Sequence, residues 1–232
     1  MKSYYFRLFR LIFGLSLCAF GITVTINAQI GYAPWVVFHA GIAKLTGLSI
    51  GTITIITTLI ITIIIVSLGE KIGIVTIFDM ILVGIFLDFY LWLSIIPIAS
   101  NLFLGIIMLF IGLFIMALGV YLYMGAGLGT GPRDSLMLAF TRKTRLPIGF
   151  CRGTIDSLVV IVGWKLGGMV GIGTVLSAFS IGFCFQIIFK ILNFDATKVK
   201  HETINGTYKI LFKNSKKSVK KESRQYSLGK LK

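Results

Sequence analysis

Two interrupted segments hold the residue types best able to do chemistry. Ala28-Gln29-Ile30-Gly31-Tyr32-Ala33-Pro34-Trp35 has a counterpart 98 positions further on, Ala126-Gly127-Leu128-Gly129-Thr130-Gly131-Pro132-Arg133, with Asp134 directly after it. Gly31 and Gly129 are placed to end the preceding helix in a left-handed conformation. Pro34 and Pro132 suit the first turn of a following short helix, where a missing N–H costs nothing. Each break then opens a helix N-terminus whose free amides favour an anion or a polar substrate group. The candidate substrate-binding residues are therefore Gly31, Pro34, Trp35, Gly129, Pro132, Arg133 and Asp134. A glycine–proline hinge that lets the next helix lie flat at a membrane surface is the competing account of the same residues.

Ionisable residues inside apolar stretches are the second group. Asp79 and Asp88 fall within one apolar run. An Asp near the centre of a membrane helix costs about 2.5–3.5 kcal/mol, so such acids need a reason to be there. Nine residues at 100° each put the two on opposite faces of a helix, so they cannot line one site together. Asp88, near the end of the run, is placed to reach water. Asp79, deeper, is the candidate for an ion or proton relay, with a hydrogen bond to a neighbouring helix as the plainer alternative. Arg152 and Asp156 are spaced i,i+4 on one helical face. That spacing fits an internal salt bridge, or else a substrate site completed by Arg133 or Arg142.

Enzyme signatures are missing from the sequence: no P-loop, no HExxH, no nucleophile elbow and no metal-ligand cluster. We expect no enzyme activity, no cofactor and no metal. Arg133, Arg142, Lys143 and Arg145 could hold a phosphate, but no acid/base pair accompanies them. His39 reads as an interfacial residue without an identifiable partner. Cys18, Cys151 and Cys184 have no metal or CxxC spacing and read as packing residues.

The elements that must position these residues are membrane helices. The chain is 56% hydrophobic with a mean hydropathy of +0.93. A bilayer core about 30 Å thick needs roughly 20 helical residues per crossing. Six runs qualify, near 7–27, 50–68, 74–93, 101–124, 148–166 and 171–191. The second is a Thr/Ile-rich stretch with strand propensity, but a helix satisfies its own backbone in lipid and a lone strand does not. Lys2, Arg7 and Arg10 ahead of an apolar stretch resemble a signal peptide. Residues 109–126 repeat that stretch in mid-chain, so it is read as a retained helix.

The repeat extends well beyond the breaks. Residues 11–88 fall without a gap on 109–186, with about a quarter of positions identical and many of those Gly, Pro or Thr. Residues 34–47 and 132–145 are too short to cross and read as re-entrant or interfacial helices. Each copy then has three crossings, an odd number, so the second copy is inverted relative to the first. The small-residue spacings Gly47/Gly51, Gly69/Gly73 and Gly167/Gly171 are candidate packing surfaces, or else helix caps.

Basic residues orient the bundle. They concentrate at the N-terminus, in the connection carrying Arg133, Arg142, Lys143 and Arg145, and in the tail from 193 onward, which has eleven. Residues 94–100 and 167–170 carry no charge. Both termini, 69–73 and 125–147 are therefore expected in the cytoplasm. The net charge of +15 is mostly this pattern. The duplicated core is 1–192, and 193–232 is a basic, disordered cytoplasmic extension drawn to anionic lipid headgroups. Without interleaved aromatics, nucleic-acid binding is the poorer reading of that charge.

The segments Gly31–Trp35, Lys44–Gly51, Gly129–Asp134 and Leu166–Thr174 together resemble the YitT/YczE-type family of bacterial integral membrane proteins. The resemblance spans about residues 6–190 and implies a multi-pass protein of the bacterial cytoplasmic membrane, without an assigned activity. Related members often carry Asp after the first Pro-Trp. Val36 stands there in this chain, while Asp134 keeps the acid in the second copy. The expectation is an all-α polytopic membrane protein of six transmembrane helices in a 3+3 inverted repeat, with homo-oligomers possible. Its expected function is a small-solute or ion transporter or channel with its site between the copies. The alternative is a non-transporting partner that stabilises or regulates another membrane complex.

Overall fold

The computed structural model describes residues 2–70, 73–129, 131–146 and 148–194, without the side chains of 2–4, 138, 148, 149 and 152. The basic extension from 195 onward lies outside the described residues. The described residues form eight α-helices: α1 (Lys2–Asn27), α2 (Pro34–Thr46), α3 (Ile50–Ser67), α4 (Ile74–Leu93), α5 (Leu102–Gly125), α6 (Pro132–Thr144), α7 (Ile148–Lys165) and α8 (Ile172–Ile191). Five are long and apolar enough to cross a membrane: Tyr5–Asn27, Ile50–Ser67, Ile74–Leu93, Leu102–Gly125 and Ile172–Ile191. The sixth expected crossing, α7, matches α3 in length at 18 residues but carries Arg152, Asp156 and Lys165. Large apolar side chains such as Ile60, Phe103, Phe179 and Phe183 stand exposed around the bundle, as a lipid-facing surface requires.

Local chemistry explains α3, whose β-branched residues favour strands. Thr54, Thr58 and Thr62 each donate the hydroxyl proton to the carbonyl four residues back, at 2.8, 2.6 and 2.7 Å. The hydroxyls are thereby satisfied inside the helix and none has to face hydrocarbon unpaired. Asp88 from α4 secures the first turn, accepting from the Ser49 hydroxyl and from the Gly51 amide at 2.8 Å. Half-buried near the end of its run, Asp88 also ties α4 to the N-terminus of α3, where a carboxylate answers the helix dipole.

At the centre, α1 and α5 run antiparallel in close contact. Leu11, Leu15 and Ala19 of α1, and Leu109, Leu113 and Ala117 of α5, are fully buried. Glycines set the crossing. A Cβ on Gly14 would lie 2.8 Å from the Gly119 carbonyl, and one on Gly119 would lie 2.7 Å from the Gly14 carbonyl. Gly21 and Gly112 stand in the same relation, at 2.7 and 2.8 Å. Backbones this close exclude any side chain larger than hydrogen.

In the 98-residue register Gly14 is equivalent to Gly112 and Gly21 to Gly119, so these contacts are reciprocal. Others behave alike. Gly31 abuts Gly171 while its equivalent Gly129 abuts Gly73. The Gly173 amide donates to the Ile30 carbonyl at 2.7 Å, and the Val75 amide to the Leu128 carbonyl at 3.3 Å. Helix α2 packs on α7, and α6 packs on α3.

Both short helices begin at proline and end in a left-handed residue, Gly47 (φ 72°) and Arg145 (φ 60°). Neither runs from one end of the bundle to the other. Tyr32, ahead of α2, donates its amide to Met169 at 3.1 Å, and Lys44 near its far end lies beside Gly167. Around α6, Gly129 abuts Gly73 and Arg142 pairs with Glu70 at 2.9 Å. Each short helix thus leaves from and returns to one connection, α7–α8 for α2 and α3–α4 for α6.

Two glycine expectations change. Gly31 and Gly129 have positive φ (113° and 129°), but α1 and α5 have already ended. The left-handed turn after each helix falls at Gln29 (φ 51°) and Gly127 (φ 68°), and the later glycines allow close approach to Gly171 and Gly73. Nor are the three small-residue spacings packing surfaces. Gly47, Gly69 and Gly167 lie past helix ends with φ of 72°, 86° and 91°, and Gly73 and Gly171 are N-caps. Gly51 alone packs on a helix, against the Gly84 carbonyl.

The copies differ at one joint. Gly84 is wedged against α3, its Cβ position 2.5 Å from the Gly51 carbonyl, while its equivalent Gly182 has open space around it. Gly84→Ala should therefore destabilise the protein by about 1–3 kcal/mol through overpacking. Gly182→Ala should be neutral or stabilise by up to about 1 kcal/mol through helix propensity. Thermal unfolding midpoints of the two variants in detergent check this; equal losses would contradict the asymmetry.

Candidate functional site

The four breaks and caps above bring both interrupted segments to one internal cavity of about 160 Å³, room for roughly five waters at liquid density. Its lining is drawn from equivalent positions of the two copies. Trp35 and Arg133 both face it, as do Val36 and Asp134, Thr25 and Tyr123, and Thr58 and Asp156. Cys18 with Met116, Ile22 with Val120, and Val83 with Ile181 complete its apolar walls.

Polar geometry ties the halves together. The Trp35 indole N–H donates to Asp156 Oδ1 at 3.0 Å. The Arg133 guanidinium lies over the Trp35 ring, 5.0 Å from its centroid, a cation–π distance. Tyr123 donates its hydroxyl to Asp134 Oδ2 at 3.4 Å. Gly131, the N-cap of α6, leaves the space where these groups meet. A Cβ there would lie 3.5 Å from the Tyr123 hydroxyl, 3.6 Å from Asp134 Oδ2 and 3.8 Å from Asp79 Oδ2. Asp79, Asp134 and Asp156 are all electrostatic neighbours of Arg133.

Of the residues singled out from sequence, Pro34, Trp35, Asp79, Arg133, Asp134 and Asp156 line the cavity. Gly31 and Gly129 do not; they abut Gly171 and Gly73 and so set where each segment turns. Pro132 starts α6 without lining the cavity, and the Arg152 side chain lies outside the described residues. Asp156 is held by Trp35 from the other copy, a partner that i,i+4 spacing could not reveal. Arg142 does not complete the site, since it pairs with Glu70 at the α3–α4 connection. His39 is buried, not interfacial, and its Nδ1 is hydrogen-bonded to Thr54 at 3.0 Å. The cysteines are free and buried, as expected. Among the described residues no group of His, Cys, Asp or Glu is arranged to hold a metal ion.

Sequence reasoning missed Tyr123 and Thr25. The signal was present in the repeat register, which pairs these two polar residues one turn before each break.

The family of unknown function DUF6198 matches residues 5–190. The chain belongs to it. The match takes in all eight helices except the first three residues of α1 and the last residue of α8, so the cavity falls within the DUF6198 region. The uncharacterized membrane protein YczE of Bacillus subtilis (strain 168) is 35% identical over 177 residues, covering 75% of this chain and 80% of that protein. An uncharacterized protein of Haemophilus influenzae is 32% identical over 182 residues, covering 78% and 83%. The uncharacterized protein YyaS of B. subtilis is 27% identical over 184 residues, covering 77% and 90%. The motif resemblance to YczE-type membrane proteins therefore holds across the core. No solved structure matches the chain.

Trp35→Phe keeps an aromatic ring beneath Arg133 but removes the donor to Asp156. Leaving a carboxylate short of a donor should cost roughly 1–3 kcal/mol, read as a lower unfolding midpoint in detergent. An unchanged midpoint would show that the Trp35–Asp156 bond does not brace the site.

Proposed function

We propose that this DUF6198 protein is a small-solute or ion transporter or channel built as a 3+3 inverted repeat, with its site in the cavity between the copies. The observation that carries this reading is the cavity lining, drawn pair by pair from equivalent residues around two interrupted segments. Secondary transporters place substrate at such a repeat interface, beside broken helices. The reciprocal contacts of Gly14 with Gly119 and Gly21 with Gly112 support the inversion, because equivalent helices then run antiparallel about a two-fold axis perpendicular to them. Counting α7 as the sixth crossing follows from that symmetry: α3, its equivalent, is a candidate span of the same length.

The loops sort into two groups consistent with the charge pattern. Arg7 at the start of α1 donates to Ala126 after α5, and Phe194 after α8 meets Tyr121 edge-on. At the other end, the Asn27 side chain donates to Ile96, and Tyr32 meets Met169. Positive residues crowd the first group, which we assign to the cytoplasm. The joint at α3–α4 is closed through Gly51 and Gly84, whereas Gly182 on α8 stands free. Exchanging those two arrangements between the copies is the motion that alternating access of the cavity would use.

Sidedness and function are tested separately. With Cys18, Cys151 and Cys184 replaced, Lys44→Cys should label only from outside and Arg142→Cys only from inside, since these exposed positions are equivalent in the two copies. Labelling from one side would overturn the inverted repeat. Deleting residues 195–232 distinguishes transport from a partner role: flux in proteoliposomes should survive, whereas a role exercised through the basic tail should not.

A further inference from the structure

The cavity's chemistry points to the sign of its ligand. We infer that it binds a small organic cation with N–H donors, an ammonium or guanidinium group, and that Arg133 is the resident stand-in for that cation. The inference rests on the cavity being a binding site, but not on the solute crossing the membrane.

Consider what the lining can offer. Thr25, Thr54 and Thr58 each commit the hydroxyl proton to a carbonyl of their own helix, at 2.7, 2.8 and 2.6 Å. A hydroxyl has one proton and two lone pairs, so Thr25 and Thr58 present acceptors to the cavity, while Thr54 is also engaged by His39 Nδ1 at 3.0 Å. Tyr123 commits its proton to Asp134, and the Trp35 indole N–H is held by Asp156. The side-chain donors are consumed internally, Arg133 apart.

Charge runs the same way. Among the described side chains, three carboxylates and one guanidinium line the space. No side chain caps the N-terminus of α2 or α6, the feature that suggested an anion. Asp134 already occupies the first turn of α6, and Asp156 is held at the start of α2 by Trp35. An anion entering would meet those acids before the amides. Asp79 stands apart from the other two. It has Arg133 and Asp134 as charged neighbours, yet no hydrogen-bond partner among the described residues. An acid in the middle of an apolar helix, opening onto a cavity without a donor, is matched by a cation that brings its own.

The aromatic surface completes the match. Arg133 already lies on the Trp35 face, which shows that the ring accepts a delocalised cation in this position. A free guanidinium or methylammonium ion has the chemistry to replace it there, with Asp79 and Asp134 as counter-charges.

The test uses the full chain in lipid nanodiscs with Trp92→Phe and Trp164→Phe, both exposed positions, leaving Trp35 as the single tryptophan. Millimolar guanidinium and methylammonium should change its emission saturably, and inorganic phosphate and acetate should not. Asp79→Asn and Asp134→Asn should each weaken the cation response about ten- to a hundredfold, the loss expected of one charged hydrogen bond. Glu70→Gln, at the distant Arg142 pair, should leave it unchanged. A saturable response to the anions alone, no saturable response to either class, or cation binding indifferent to both Asp variants would overturn the inference. Flux of the same probes in proteoliposomes is measured alongside. Cation binding without flux supports the cation site and overturns the transport reading; anion flux without cation binding does the reverse.

Discussion

Everything in this protein hangs on how closely α1 and α5 approach. In hydrocarbon there is no hydrophobic drive to press two helices together, so contact must come from backbone packing. Gly14, Gly21, Gly112 and Gly119 supply it, and the antiparallel pair they create becomes the axis around which the other six helices are placed. Because α1 and α5 touch near their middles, the segments that follow them are carried to opposite ends of the bundle. Each then turns back at a glycine of positive φ and lays a short helix against the other copy. The cavity is what remains where these returning segments do not fill the space.

That placement solves a problem of solvation. Asp79, Asp134, Asp156 and Arg133 would each be costly alone in a membrane interior. Gathered around one cavity they compensate one another and share whatever water it holds. The threonines of α3 show the same economy on a smaller scale, since each hydroxyl uses a carbonyl of its own helix. Apolar surface is left for the outside, where Phe103, Phe179 and Phe183 face the surroundings.

Much of the fold was legible in the sequence because glycine and proline mark backbone geometry directly. The short helices start at Pro34 and Pro132, as read from their position alone. The charged residues that line the cavity, Asp79, Arg133, Asp134 and Asp156, were singled out from sequence, whereas most of its other walls were not. What could not be read were pairings between distant helices. Asp156 accepts from the Trp35 indole, 121 residues away, a partner that no spacing in a string of letters shows. His39 was misjudged for the same reason: Thr54 comes to it from another helix. The glycine spacings misled differently, because a cap and a packing contact leave the same residue in the sequence, and only φ or a neighbour tells them apart.

The Trp35–Arg133 contact carries a consequence for how such a molecule can arise. These residues are equivalent in the 98-residue register, yet they meet each other in a single contact. A pair of identical half-length modules could reproduce the reciprocal contacts of Gly14 with Gly119 and Gly21 with Gly112. It could never reproduce this one, for it would place either two indoles or two guanidinium ions face to face. Complementary chemistry across this contact therefore requires two modules of different sequence, as this single chain has.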